Sequence, residues 1–159
     1  MNMIDKLIEK IKQTNNPTVI GLDPRYEMLP KCVTDKYPKT LEGVGQAIVE
    51  YNKALIDATC DIIPAIKPQI AFYEMFGMPG MKAFEETCKY AKEKGMIVIA
   101  DIKRGDIGST AARIFKCIFR KNSNWRQRRK YIWCGLYYSE SVYGNWLCET
   151  IYRWLQKIW

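Results

Sequence analysis

The chain has 159 residues, with 25 Lys and Arg against 17 Asp and Glu, a net charge of +8, and no histidine. Without histidine, Ser-His-Asp and Cys-His catalysis and His-ligated zinc are excluded, which leaves lysines and carboxylates as the available acids and bases. The length suits one ordinary domain, and falls short of the roughly 250 residues that a complete eight-stranded α/β barrel takes.

Ile4, Leu7, Ile8 and Ile11 recur at helical spacing and predict an amphipathic opening helix. Thr18 to Leu22 predicts a short buried strand that Asp23-Pro24 ends. Leu41 to about Ala58 predicts a second helix with Val44, Ile48, Tyr51 and Leu55 on one face, and Ile62 to Ile66 a second strand ending at Lys67-Pro68. Gly77-Met78-Pro79-Gly80 reads as punctuation at the start of a helix rather than as a phosphate cradle, and no Walker or Rossmann glycine pattern occurs. A third helix is expected from about Gly80 to Lys94, with Gly95 as its left-handed stop, followed by Met96 to Ala100 as a fully buried parallel strand. Strands alternating with helices in this order define a parallel α/β pattern with right-handed crossovers.

Each expected strand ends in a charge: Asp23, Lys67 and Asp101. One such charge alone reads as a solvated strand end. Three together read as a site, because in parallel α/β barrels the catalytic groups gather at the C-terminal ends of the strands. The densest cluster is Asp101-Ile102-Lys103-Arg104-Gly105-Asp106, a lysine between two carboxylates directly after a buried strand. Desolvation opposes charge on all three groups while their mutual attraction preserves it, so the cluster can hold a strong fixed field suited to delivering a proton.

The excess positive charge is confined to one end. Residues 1–112 carry 15 basic and 15 acidic residues, whereas residues 113–159 carry ten basic and two acidic residues, all five tryptophans and no proline. The six cysteines, at 32, 60, 88, 117, 134 and 148, form no C-x-x-C pair, and no signal-peptide pattern or apolar run of about 18 residues occurs. A reduced, cytoplasmic chain without a membrane span is expected.

Three segments, Gly21-Leu22-Asp23-Pro24-Arg25, Lys67-Pro68-Gln69 with Ala71-Phe72-Tyr73-Glu74, and Asp101 through Thr110, together resemble the bacterial subgroup of the orotidine 5′-phosphate decarboxylase family. The resemblance covers about residues 3–112. It implies a partial TIM (β/α)8 barrel, the first three βα units, and decarboxylation of orotidine 5′-monophosphate (OMP) to uridine 5′-monophosphate (UMP) with no cofactor and no metal. It also implies Lys103 as proton donor, with Asp101, Lys67 and Asp106 as its catalytic partners. Asp23 and Lys67 would bind the ribose hydroxyls, and Asp106, Ile107 and Thr110 would reach the site of a neighbouring subunit in a homodimer. A sister group of barrels shares Asp-x-Lys-x-x-Asp but holds magnesium partly through a carboxylate at the end of the second strand. Lys67 stands there in this chain and argues for the metal-free decarboxylase.

Beyond residue 112 the family's further strands and phosphate-gripping loops are not visible, and the expected division is residues 1–112 as barrel and 113–159 as a non-homologous basic tail. A slipped reading frame accounts for the tail's charge, tryptophans and missing prolines together. For one AT-rich choice of codons, Ser139 to Gly144 read one base later gives Val-Asn-Pro-Tyr-Met, a segment the family carries. A nucleic-acid contact through Arg126-Gln127-Arg128-Arg129-Lys130 among aromatic residues explains only the charge and the tryptophans. No specific nucleic-acid partner is therefore expected, and a non-catalytic nucleotide-binding remnant is the remaining alternative.

Overall fold

The computed structural model describes residues 3–104 and 109–110, together with the backbone of Leu136–Tyr137. Helix α1 (Met3–Thr14) leads to strand β1 (Val19–Leu22), a single 3₁₀ turn at Tyr26–Met28 and the short helix α2 (Lys31–Thr34). The long helix α3 (Leu41–Thr59) precedes β2 (Ala65–Pro68), which runs through α4 (Ala71–Glu74) into α5 (Gly77–Glu93), β3 (Ile97–Ala100) and the two-residue β4 (Leu136–Tyr137).

The local sequence explains most of these boundaries. The α1 helix stops where Asn15 takes a left-handed φ of 49°, which asparagine tolerates better than most residues. Asn16 then fastens the approach to β1: its amide donates to the Ile62 carbonyl at 3.1 Å and its side-chain oxygen accepts from Thr18 N at 2.9 Å. Thr40 caps α3 by accepting from Gly43 N at 3.1 Å. Gly95, at φ 75°, ends the α5 region in the conformation that a residue lacking Cβ adopts without strain.

The sheet is parallel throughout, in the order β1-β2-β3-β4. Its register sets Val19 beside Ala65 and Ala65 beside Ile97, and sets Ile66 beside Val98. Residues two apart along a strand share a face. One face therefore presents Ile20, Leu22, Ile66, Pro68, Val98 and Ala100, and all of these but Pro68 join a single core with Val44, Ile48 and Ile56 of α3 and Ala83, Phe84, Cys88 and Ala91 of α5. Tyr73 meets Phe84 edge to face within this core, ring centroids 5.2 Å apart. The other face presents Val19, Gly21, Ala65, Lys67, Ile97 and Ile99, all at least partly exposed except the small, buried Ala65.

That asymmetry revises the expectation of fully buried strands. Only Leu22 of β1 is buried, and β3 alternates between buried and half-buried residues. Among the described residues, helices cover the sheet on one side only, as in a barrel wall, where the opposite face turns toward an interior that other strands must complete. The second strand begins three residues later than expected, with Ile62 exposed in the turn before it. A further difference is β4: beyond the three expected βα units, the edge of β3 pairs with Leu136–Tyr137, through Ile99–Leu136 and Ala100–Tyr137. The remainder of the 113–159 segment, with the basic run 126–130, lies outside the described residues, as do Asp106 and Ile107. Among the described residues no helix is long and apolar enough to cross a membrane.

Candidate active site

The sheet register places Asp23, Lys67 and Asp101 on one side of the sheet, the side that α3 and α5 leave uncovered. Lys67 lies beside Gly21 in the ladder, and Asp23 follows two residues on. The Asp23 carboxylate folds back over Gly21, its Oδ2 3.9 Å from the point a Cβ there would occupy. Asp101 extends the β2–β3 ladder by one bridge: its N–H donates to the Pro68 carbonyl and its carbonyl accepts from Ile70 N, both at 3.0 Å.

Two ammonium groups converge on one oxygen of this anchored carboxylate. Lys103 Nζ lies 2.9 Å and Lys67 Nζ 3.4 Å from Asp101 Oδ2. The Asp101 side chain is only 5 % exposed, while those of Lys67 and Lys103 are 41 % and 42 % exposed. The carboxylate is therefore the buried pivot, and the cations stand between it and the open face. Asp101 Oδ1 is also buried and takes no hydrogen bond among the described residues. Within this contact set two positive charges meet one negative charge, an arrangement that can stabilise an anion forming beside the ammonium groups.

The backbone bends to achieve this. Lys103 has a φ of 46°, a left-handed conformation that costs a residue with a Cβ on the order of 1–2 kcal/mol. An outlier of this kind at a charged strand end is where functional strain collects. Arg104 stabilises the bend: one guanidinium nitrogen donates to the Ile102 carbonyl at 3.1 Å, and the other pairs with Glu74 of the α4 helix.

Of the residues singled out from sequence, the structure joins Lys67, Asp101 and Lys103 in one contact set. Asp23 stands exposed at the neighbouring strand end, and Thr110 is helical and half-buried. Two supporting features were missed. One is the Arg104–Glu74 pair, although both residues lie in the quoted motifs. The other is a buried network in which Asn52 Nδ2 donates to Tyr73 Oη and Thr87 Oγ1, both at 3.0 Å, while the Tyr73 hydroxyl donates to the Leu22 carbonyl at 3.0 Å. Burial raises the Tyr73 pKa well above the usual phenol value. Asn52 in a helix of otherwise apolar inward positions was the available signal.

The fold and the charges together define part of a parallel β/α barrel with a lysine–carboxylate array at its strand ends. The family model described as orotidine 5′-phosphate decarboxylase / HUMPS family matches residues 6–126. An orotidine 5′-phosphate decarboxylase of Clostridium novyi is 38 % identical over 117 residues, 74 % of this chain and 39 % of that protein. One of Rhodopirellula baltica is 41 % identical over 112 residues, 70 % of this chain and 37 % of its own length. Among solved structures, Leishmania donovani OMP decarboxylase superposes on 97 % of this chain and 50 % of its own, with a TM-score of 0.69 and 28 % identity. The chain belongs to the orotidine 5′-phosphate decarboxylase / HUMPS family. It spans somewhat over a third of the length of these two curated relatives.

Proposed function

We propose that this chain is the N-terminal portion of an orotidine 5′-phosphate decarboxylase, acting in the cytoplasm without metal or cofactor. The carrying observation is the pair of ammonium groups on one oxygen of buried Asp101. In the reaction the bond between pyrimidine C6 and the carboxylate breaks, carbon dioxide leaves, and the electron pair stays on C6. Lys103 stabilises this developing charge and then transfers its Nζ proton to C6, giving UMP. Asp101 faces the departing carboxylate and disfavours the bound ground state through like charge. Lys67 bridges the array to the ribose, which Asp23 also binds. In the full-length enzyme, Asp106, Ile107 and Thr110 reach a neighbouring subunit's site in a homodimer.

Phosphate contacts far from C6 supply the binding energy that holds a substrate against such an array. The segments expected to make those contacts have no counterpart in this sequence, so the chain by itself turns over little OMP. Residues 113–159 are the product of a shifted reading frame and have no nucleic-acid target.

A chimera tests the reading: residues 1–112 replace the corresponding segment of the Clostridium novyi relative, and OMP turnover is followed. The chimera is expected to be active, and Lys103→Ala to lower its kcat by about 10²–10⁴. A folded but inactive chimera, or one indifferent to Lys103→Ala, would overturn the assignment.

A further inference from the structure

A cleft of about 370 Å³ runs beside β1, lined among others by Asp23, Arg25, Met28, Tyr51, Asn52 and Leu55. Met28 is 72 % exposed there. The cleft lies along a sheet edge, because among the described residues β1 pairs with β2 alone and the opposite edge belongs to β4. Among the described residues the sheet thus has two open parallel edges and one face, carrying Val19, Ile97 and Ile99, that no helix covers. Open edges and uncovered apolar faces seek partners.

The strand count points to the partner. Parallel β/α sheets of this kind close on themselves at eight strands with the helices outside, and the described residues supply four. The chain also superposes on half of the Leishmania donovani enzyme while using 97 % of itself. We propose that two copies of this chain associate about a two-fold axis through the barrel centre and close one eight-stranded barrel. Each β4 then pairs with the partner subunit's β1, and the uncovered faces become a shared interior. The edge of the partner subunit's sheet then lies against the cleft. A two-fold along the barrel axis keeps all eight strands parallel, so both Lys67–Asp101–Lys103 arrays open at the same end. Strand pairing is made by backbone groups and is indifferent to how the β4 sequence arose. This assembly differs from the family-type homodimer of the preceding proposal, which joins separate barrels through Asp106, Ile107 and Thr110, and it requires no catalytic activity.

Sedimentation velocity on the 159-residue chain tests the inference. A dimer of twice 18.6 kDa is expected. Val19→Lys would place a charge in the shared interior, and Met28→Glu would obstruct the cleft. Both side chains are exposed in one copy, so the far-UV circular dichroism should persist while self-association weakens at least about tenfold, the effect of losing one well-buried apolar contact. Thr110→Arg should leave the dimer intact. A monomeric wild-type chain, including one that binds only a separate polypeptide carrying the remaining strands, would overturn the proposal. So would a dimer that withstands both Val19→Lys and Met28→Glu, or one that Thr110→Arg alone dissociates.

Discussion

Replacing Tyr73 by Phe removes one oxygen from the core and leaves the ring in place against Phe84. In the native network that oxygen accepts from Asn52 Nδ2 and donates to the Leu22 carbonyl, both at 3.0 Å. The Asn52 amide keeps its bond to Thr87 Oγ1, so the main loss falls on the buried Leu22 carbonyl, immediately before Asp23. Orphaning a buried polar group costs about 1–3 kcal/mol. For a chain of this size, that lowers the melting temperature by at least about 2 °C. Urea unfolding should show the loss directly. Asn52→Ala should cost more, because it also strips Thr87 of its donor and leaves a cavity. The double variant should fall short of the sum by about 1 kcal/mol, since both changes break the same bond. The pH dependence supplies a second readout. Burial raises the Tyr73 pKa above its unfolded value of about 10, so the phenol's contribution is complete below pH 10 and is lost as pH rises, because only the unfolded state then readily releases the proton. Tyr73→Phe should flatten that alkaline decline. A Tyr73→Phe chain as stable as wild type, or strict additivity with Asn52→Ala, would refute the network's role.

Gly80→Ala should destabilise the fold by about 1–3 kcal/mol, because the added Cβ would stand 1.9 Å from the Tyr73 carbonyl oxygen, and backbone there cannot give way cheaply. Thermal melting of that variant checks the α4–α5 packing. Phe84→Ala should cost about 3–5 kcal/mol in urea unfolding, as expected for an aromatic ring fully inside the core. Glu50, held by Lys36 and Tyr37, and Asp57, held by Lys94 and Tyr90, both have carboxyl pKa values below the usual range. Their stabilisation is present above the unfolded carboxylate pKa near 4 and disappears as pH falls through the lower folded values, so Glu50→Gln should make acid unfolding less steep. Sequencing the gene through codon 113 should reveal codons that restore the family sequence in a neighbouring frame, and codons that do not would remove the frame-shift reading.

Periodicity and punctuation made α1, α3, α5 and the three strands of the first hundred residues legible, because an apolar stripe at helical spacing and Gly95 act through local backbone geometry; the single-turn helices α2 and α4 are too short to carry such a stripe. The three strand-end charges were legible for the same reason, since Asp23, Lys67 and Asp101 each close a short apolar run. What the linear order left open was which of them touch. Asp101 becomes the pivot because the β2–β3 ladder continues one bridge past Ala100, and Lys103 reaches it because its backbone turns left-handed, a choice stabilised through Arg104 and Glu74 some thirty positions apart. The Asn52–Tyr73–Leu22 chain and the short β4 pairing likewise join residues distant in sequence. Amino-acid order sets conformational preference over a few residues; register, burial and the meeting of remote charges arise only when the elements pack, because their energy lies in contacts that no single segment possesses.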